Sequence, residues 1–260
     1  MAMKRIVLDP GHGGNDSGAC AHGIQEKDLN LAVALATRNI LRDCGHTVLM
    51  THDSDCAMSL HERGCFAVNK QADVFLSIHH DAADNNPKVH GCHGFYDNED
   101  CANARDMTTK VARAIAVANG TGHSYGAPAS TWFDKHLGVL AACENWRHVT
   151  AGLIECLFLT NAAEAEKAKA PGYVATTARA IAAGIQWHLA LPVLNAPAVS
   201  GDDGDGQAHD VDEISSWAKG AAEFVRAKGI SDCTRPKQPA TREEVWCYLQ
   251  RLYAVLKPGG

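Results

Sequence analysis

Short apolar runs alternate with longer stretches of helical period from the first residues onward. Residues 4–9 (Lys-Arg-Ile-Val-Leu-Asp) predict a buried strand, and the Pro-Gly-His-Gly-Gly stretch after it predicts a loop. Leu29, Leu31, Val33, Leu35, Ile40 and Leu41 recur at the spacing of a helix packed on a sheet, over residues 27–43. Gly45 breaks that helix, and Thr47–Thr51 make a second strand. Residues 59–71 read as a second helix, and Asp73–His79 as a third, apolar strand. Strand–helix–strand–helix–strand is the order of an α/β fold. An Ala-rich helix over 102–119 and a buried strand over Gly152–Leu159 follow. A helical segment over 162–189, broken near Pro171-Gly172, ends this first domain around Leu191.

The pattern then changes. Residues 192–210 carry Pro192, Pro197, Gly201, Gly204 and Gly206 beside Asp202, Asp203 and Asp205, the composition of a flexible polar linker. An EF-hand reading fails, because placing Gly206 at the invariant glycine puts Gly201 at the first ligand position. Residues 211–256 predict two helices joined by a turn around Pro236–Pro239, a small helical C-terminal domain spanning 211–260. No repeat of solenoid period occurs.

Charge narrows the partners. The 260 residues carry a formal net charge of −6. Without clustered Lys and Arg a nucleic-acid partner is disfavoured, and no polybasic helix or membrane-length apolar segment points to a membrane. No apolar stretch of signal-peptide length precedes the first strand. The 10 cysteines are scattered, without a Cys-x-x-Cys pair. Reduced, partly buried thiols are the favoured reading, with Cys56–Cys65 and Cys92–Cys101 as alternative bridges.

Candidate chemistry gathers at strand ends, where open α/β sheets bind ligands. Asp9-Pro10-Gly11-His12-Gly13-Gly14 sets a histidine among glycines just past the first strand. A dinucleotide loop is a weak reading, since Asp16 stands where the third glycine belongs. The third strand delivers His79, with His80 and Asp81 just beyond. Glu155 interrupts an apolar run between Leu153, Ile154, Leu157 and Phe158, so it either pairs with something or faces a functional cleft. Glu26 stands just before the first helix. Two histidines and a carboxylate are the nitrogen and oxygen donors of a catalytic zinc site, and a further carboxylate would serve as general base. His12, Glu26, His79 and Glu155 make such a set.

Five ordered blocks carry a resemblance. They are Ile6–Gly14; Glu26 with Asn30-Leu31-Ala32-Val33; Ser59-Leu60-x-x-Arg63; Ala72-Asp73-x-Phe75-x-Ser77-Ile78-His79; and Leu153-Ile154-Glu155-x-x-Phe158-Leu159-Thr160-Asn161. From about Lys4 to Leu191 the chain resembles the zinc-dependent N-acetylmuramoyl-L-alanine amidases of bacterial autolysins, cell-division amidases and phage endolysins. The resemblance implies a mixed twisted β-sheet surrounded by helices. It implies zinc held by His12, Glu26 and His79, with Glu155 as the catalytic carboxylate. It further implies peptidoglycan as substrate, cut at the amide between N-acetylmuramic acid and L-alanine. A wall enzyme without a leader is expected to be made in the cytoplasm and released by lysis, as a phage or prophage endolysin is. A non-catalytic wall-binding protein and a deacetylase-type zinc hydrolase are the competing readings; all four site residues are present, and the order of blocks opposes the deacetylase.

Departures from the family pattern are His52 after the second strand, His80 and Asp81 after His79, and Cys156 with Leu157 after Glu155. The Ser-Ile-His match makes His79 the ligand, with His80 on the other face of the strand or lining the cleft. His61-Glu62 reads as a surface pair, because Cys65 takes the second histidine position of a zincin motif. His90, Cys92 and His93 read as unrelated polar residues of a loop, with a second metal as the alternative. Asp9 either orients His12 or holds the loop. Residues 212–252 resemble one S-layer homology module, through Trp217-Ala218, Lys228-Gly229-Ile230 and Pro239-Ala240-Thr241-Arg242-Glu243-Glu244. That resemblance implies binding of wall polymers.

Overall fold

The computed structural model describes residues 3–83, 86–97, 101–122, 124–128, 137–141, 143 and 149–189. The expected linker over 192–210 and the expected helical domain over 211–260 lie outside the described residues. In chain order the elements are β1 (Arg5–Pro10), β2 (Cys20–Ala21), β3 (Ile24–Gln25), α1 (Glu26–Asp43), β4 (Thr47–Met50), α2 (Leu60–Asn69), β5 (Val74–Asp81) and β6 (Cys92–Tyr96). They continue with α3 (Ala102–Asn119), β7 (Ser124–Pro128), α4 (Gly138–Ala141), β8 (Thr150–Phe158), α5 (Ala162–Lys169) and α6 (Tyr173–His188).

Six strands form one sheet in the order β4-β1-β5-β8-β6-β7, and β2 pairs with β3 as a small hairpin. β6 runs antiparallel to β8, and every other pairing in the large sheet is parallel. The sheet is therefore mixed, as expected. Alternation along the strands explains why both faces are covered. Ile6 and Leu8 of β1, with Val74, Leu76 and Ile78 of β5, join Val33, Leu41, Met107, Val111, Ile181 and Ile185 under α1, α3 and α6. Val7 and Phe75 point the other way, to Ala67, Phe95, Val139, Leu140 and Leu153. Helix α3 sits close on the sheet, because a side chain at Gly94 or Gly152 would strike Thr108.

Element ends have local causes. Ser59 caps α2 through a reciprocal box with Glu62, so the His61-Glu62 pair belongs to an exposed helix start. Asn161 caps α5 by accepting from the Ala163 and Glu164 N–H groups. The break between α5 and α6 falls at Gly172, with φ of 93°.

Three expectations change. β5 runs two residues past His79 because β8 continues to pair with it. The 90–93 stretch is not a loop: Cys92 and His93 begin β6, both buried. The eight described cysteines are free, so neither Cys56–Cys65 nor Cys92–Cys101 is bridged.

Candidate active site

Parallel pairing sets the ends of β1, β5 and β8 side by side at one edge of the sheet, and the loop after β1 folds over that edge. Asp9, fully buried, anchors it. Its carboxylate accepts from Thr51 Oγ1 (2.6 Å), Ser77 Oγ (2.6 Å) and Arg63 Nη1 (2.9 Å). Arg63 also donates to the carbonyl oxygens of Met58 (3.0 Å), Pro10 (2.6 Å) and His12 (2.7 Å). His52 Nε2 lies 2.9 Å from the Pro10 carbonyl. Of its two readings, then, Asp9 takes the loop-holding one. The loop leaves His12 in the left-handed region, φ 66°, an uncommon backbone for a non-glycine residue. Gly11 is required because a Cβ there would enter the His79 ring.

The first residue of α1 completes the cluster. Glu26 is 3% exposed. One oxygen accepts from Ala19 N–H (2.8 Å) and lies 3.1 Å from His12 Nε2. The other accepts from Asn30 Nδ2 (3.0 Å) and His80 N–H (3.1 Å) and lies 3.0 Å from His79 Nδ1. Asp16 Oδ2, at 2.8 Å from His12 Nδ1, fixes that ring from behind. Donor atoms of His12, Glu26 and His79 lie within 4.8 Å of one another, and no other such group occurs among the described residues. This includes His90, Cys92 and His93.

His80 is not part of the cluster. Its Nδ1 is 2.7 Å from Asn30 Oδ1 and its Nε2 2.9 Å from Tyr173 Oη. Burial pushes its pKa down to about 3, which keeps the ring neutral.

The electrostatics match a cation site. Burial disfavours charge on His12, yet Glu26 and Asp16 outweigh it and raise the imidazole to about 9. Burial likewise opposes the Glu26 charge, but His12 and His79 hold it far below the ordinary carboxylate range. A buried carboxylate facing two imidazoles fits a divalent ion with nitrogen and oxygen ligands.

Glu155 stands apart. Its Oε2 is buried and has no hydrogen-bond partner. Burial, then Asp81 and Glu26, push its carboxyl well above the usual range. Buried polar atoms left unpaired are rare and call for a partner. Glu155 lines a cavity of about 470 Å³ together with His12, Gly18, Glu26, His79 and Asp81. The structure thus brings all four expected residues to one cavity. Asp16, Asn30 and Asp81 also belong to it or support it. Each has a local signal in the sequence: Asp16 four residues from His12, Asn30 four from Glu26 and Asp81 two from His79.

The chain is similar to known proteins over this same region. A family model described as N-acetylmuramoyl-L-alanine amidase matches residues 6–187. The N-acetylmuramoyl-L-alanine amidase LytC of Bacillus subtilis is 32% identical over 179 residues, covering 68% of this chain and 34% of LytC. The aligned region thus spans about a third of that relative's length. The structure of the CwlD amidase from Clostridioides difficile, in complex with the GerS lipoprotein, superposes with a TM-score of 0.64 at 27% identity, covering 72% of this chain and 98% of that one. The catalytic domain of CwlV, an amidase from Bacillus (Paenibacillus) polymyxa, gives 0.62 at 27% identity, covering 73% and 99%.

Proposed function

The chain belongs to the N-acetylmuramoyl-L-alanine amidase family, and from that premise we propose that it hydrolyses the amide joining N-acetylmuramic acid to L-alanine in peptidoglycan. The observation that carries this reading is the His12, Glu26 and His79 cluster sharing a cavity with Glu155, whose buried Oε2 has no partner. His12, Glu26 and His79 would hold zinc, which when bound would polarise the scissile carbonyl and lower the pKa of water to about 7. Glu155 takes a proton from the attacking water and hands it to the departing nitrogen. Burial of its carboxylate, then the nearby Asp81 and Glu26, raises its proton affinity, which suits a group that must hold a proton between two transfers. Asp16 keeps Nδ1 of His12 occupied and leaves Nε2 toward the cluster. Residues 211–260 bind wall polymer, a role supported by their S-layer-like blocks.

Digestion of purified peptidoglycan followed by mass spectrometry tests the activity. The expected products are stem peptides with a free N-terminal L-alanine. A chelator stops their release and added zinc restores it. Deacetylated glycan with intact lactyl–peptide links would replace this reading with the deacetylase one. Sedimentation of the full chain and of residues 1–191 with walls tests the C-terminal role; equal retention would remove it.

A further inference from the structure

Asp81 is a cavity carboxylate that neither the cation cluster nor the proton transfer uses. It lies on β5 two residues past His79 and lines the cavity with Glu155. Residues at one level on paired strands share a face of the sheet. Glu155 is level with His79 on one side and with His93 on the other. An imidazole, a carboxylate and a second imidazole therefore stand in a row across β5, β8 and β6. The β5–β8 register then slips, from His79 opposite Glu155 to Asp81 opposite Phe158. Such a bulge re-aims the side chains beside it.

Asp81 has two neighbours, a hydrogen bond and a longer ion-pair contact. Its Oδ1 accepts from the Ala82 N–H at 2.7 Å, and its Oδ2 lies 3.7 Å from His93 Nδ1. His93 is 4% exposed and stands edge-to-face with Phe158 at 5.0 Å and Phe95 at 6.2 Å. An imidazole fixed by two rings gives the facing carboxylate a fixed direction.

The departing nitrogen must come within reach of Glu155, because the proton is delivered there. Two other polar groups along the cavity already face protein partners. His80 faces Asn30 and Tyr173, and Thr160 Oγ1 accepts from the Ala83 N–H. Asp81 brings a carboxylate to the same cavity, two residues along β5 from the level of Glu155. An amide N–H drawn from water into the cavity needs an acceptor, and the amine released from it is a cation that a carboxylate holds well.

We infer that Asp81 is a catalytic residue on the leaving-group side, with His93 as its positioning residue: it accepts from the scissile amide N–H and then from the freed ammonium of L-alanine, whose nitrogen has taken both protons of the attacking water, one through Glu155 and one from the acid left as carboxylate. The inference rests on the amidase reading.

Two measurements on the zinc-loaded full chain test it. The first compares a muramoyl-L-alanyl peptide with the matching ester, in which oxygen replaces the scissile N–H. Asp81→Ala is expected to lower kcat/KM about 100-fold on the amide and to leave the ester within a few-fold. His93→Phe moves the amide-to-ester ratio the same way, and His93→Gln restores part of it. Equal losses on both substrates, or none, overturn the assignment. The second needs no turnover: calorimetry with a stem peptide bearing a free N-terminal L-alanine and with its N-acetylated form. Wild type prefers the free amine by about tenfold, and both Asp81→Ala and the isosteric Asp81→Asn erase the preference. A wild type without that preference also overturns the assignment. A wild type that keeps it but cleaves no wall leaves the ammonium contact standing and removes the amidase reading instead.

Discussion

The cavity has two sides built on opposite principles. On the β1–α1 side no buried side-chain polar atom among the described residues lacks a partner. Asp9, Arg63, Asn30 and Glu26 are knitted together by hydrogen bonds from five separated segments. On the β8 side Glu155 sits in the same cavity with a buried oxygen that has no partner. The difference separates holding from reacting. A rigid, satisfied network keeps three donors at fixed spacing, as a cation site requires. A carboxylate left free of hydrogen bonds keeps its lone pair for a proton.

Breaking the satisfied side has the largest expected effects. His79→Ala removes a ligand, and a zinc competition titration is expected to show a loss beyond the about 10–100-fold that an outer partner costs. Asp16→Ala removes such an outer partner and falls within that range. Equal affinities for the two variants would dissolve the distinction between ligand and support. Next in size is Arg63→Met, which strands the buried Asp9 charge. Urea unfolding is expected to show about 3–5 kcal/mol lost, and a loss under about 1 kcal/mol would mean that the loop is held otherwise.

Proton competition sharpens the comparison further. With its pKa raised to about 9, His12 is protonated at pH 7 in the ion-free chain. Coordination needs the neutral ring, so each ion displaces about one proton and affinity falls as pH drops below 9. Calorimetry in two buffers of different ionisation enthalpy reads the proton directly. Heats that do not depend on buffer would contradict it. The smallest effect lies far from the cavity. Ser59→Ala removes the α2 cap and is expected to cost about 1 kcal/mol with zinc affinity unchanged.

Much of this was legible in the sequence. β1, α1, β4, α2, β5, α3 and β8 announce themselves by period, because each buries a regular set of apolar side chains. Glu155 announces itself as a charge inside such a run. The Cys-His-Gly-Phe-Tyr of β6 does not, since a histidine and a glycine interrupt it and its burial comes from α3 and β8 rather than from its own pattern. The hairpin of β2 and β3, two residues each, is too short to carry a period. Nor could the chain alone decide what Asp9 does: its partners Thr51, Arg63 and Ser77 lie 42 to 68 residues away. The ligand set emerged from ordered blocks rather than from spacing, because 53 residues separate Glu26 from His79.

Glu155→Gln tests the central claim most directly, with zinc content and peptidoglycan turnover read on the same preparation. The substitution keeps the shape of the side chain and removes the base. The account predicts zinc bound as in wild type and turnover lowered by about 10²–10⁴-fold. Turnover within a few-fold of wild type at full zinc occupancy would contradict it.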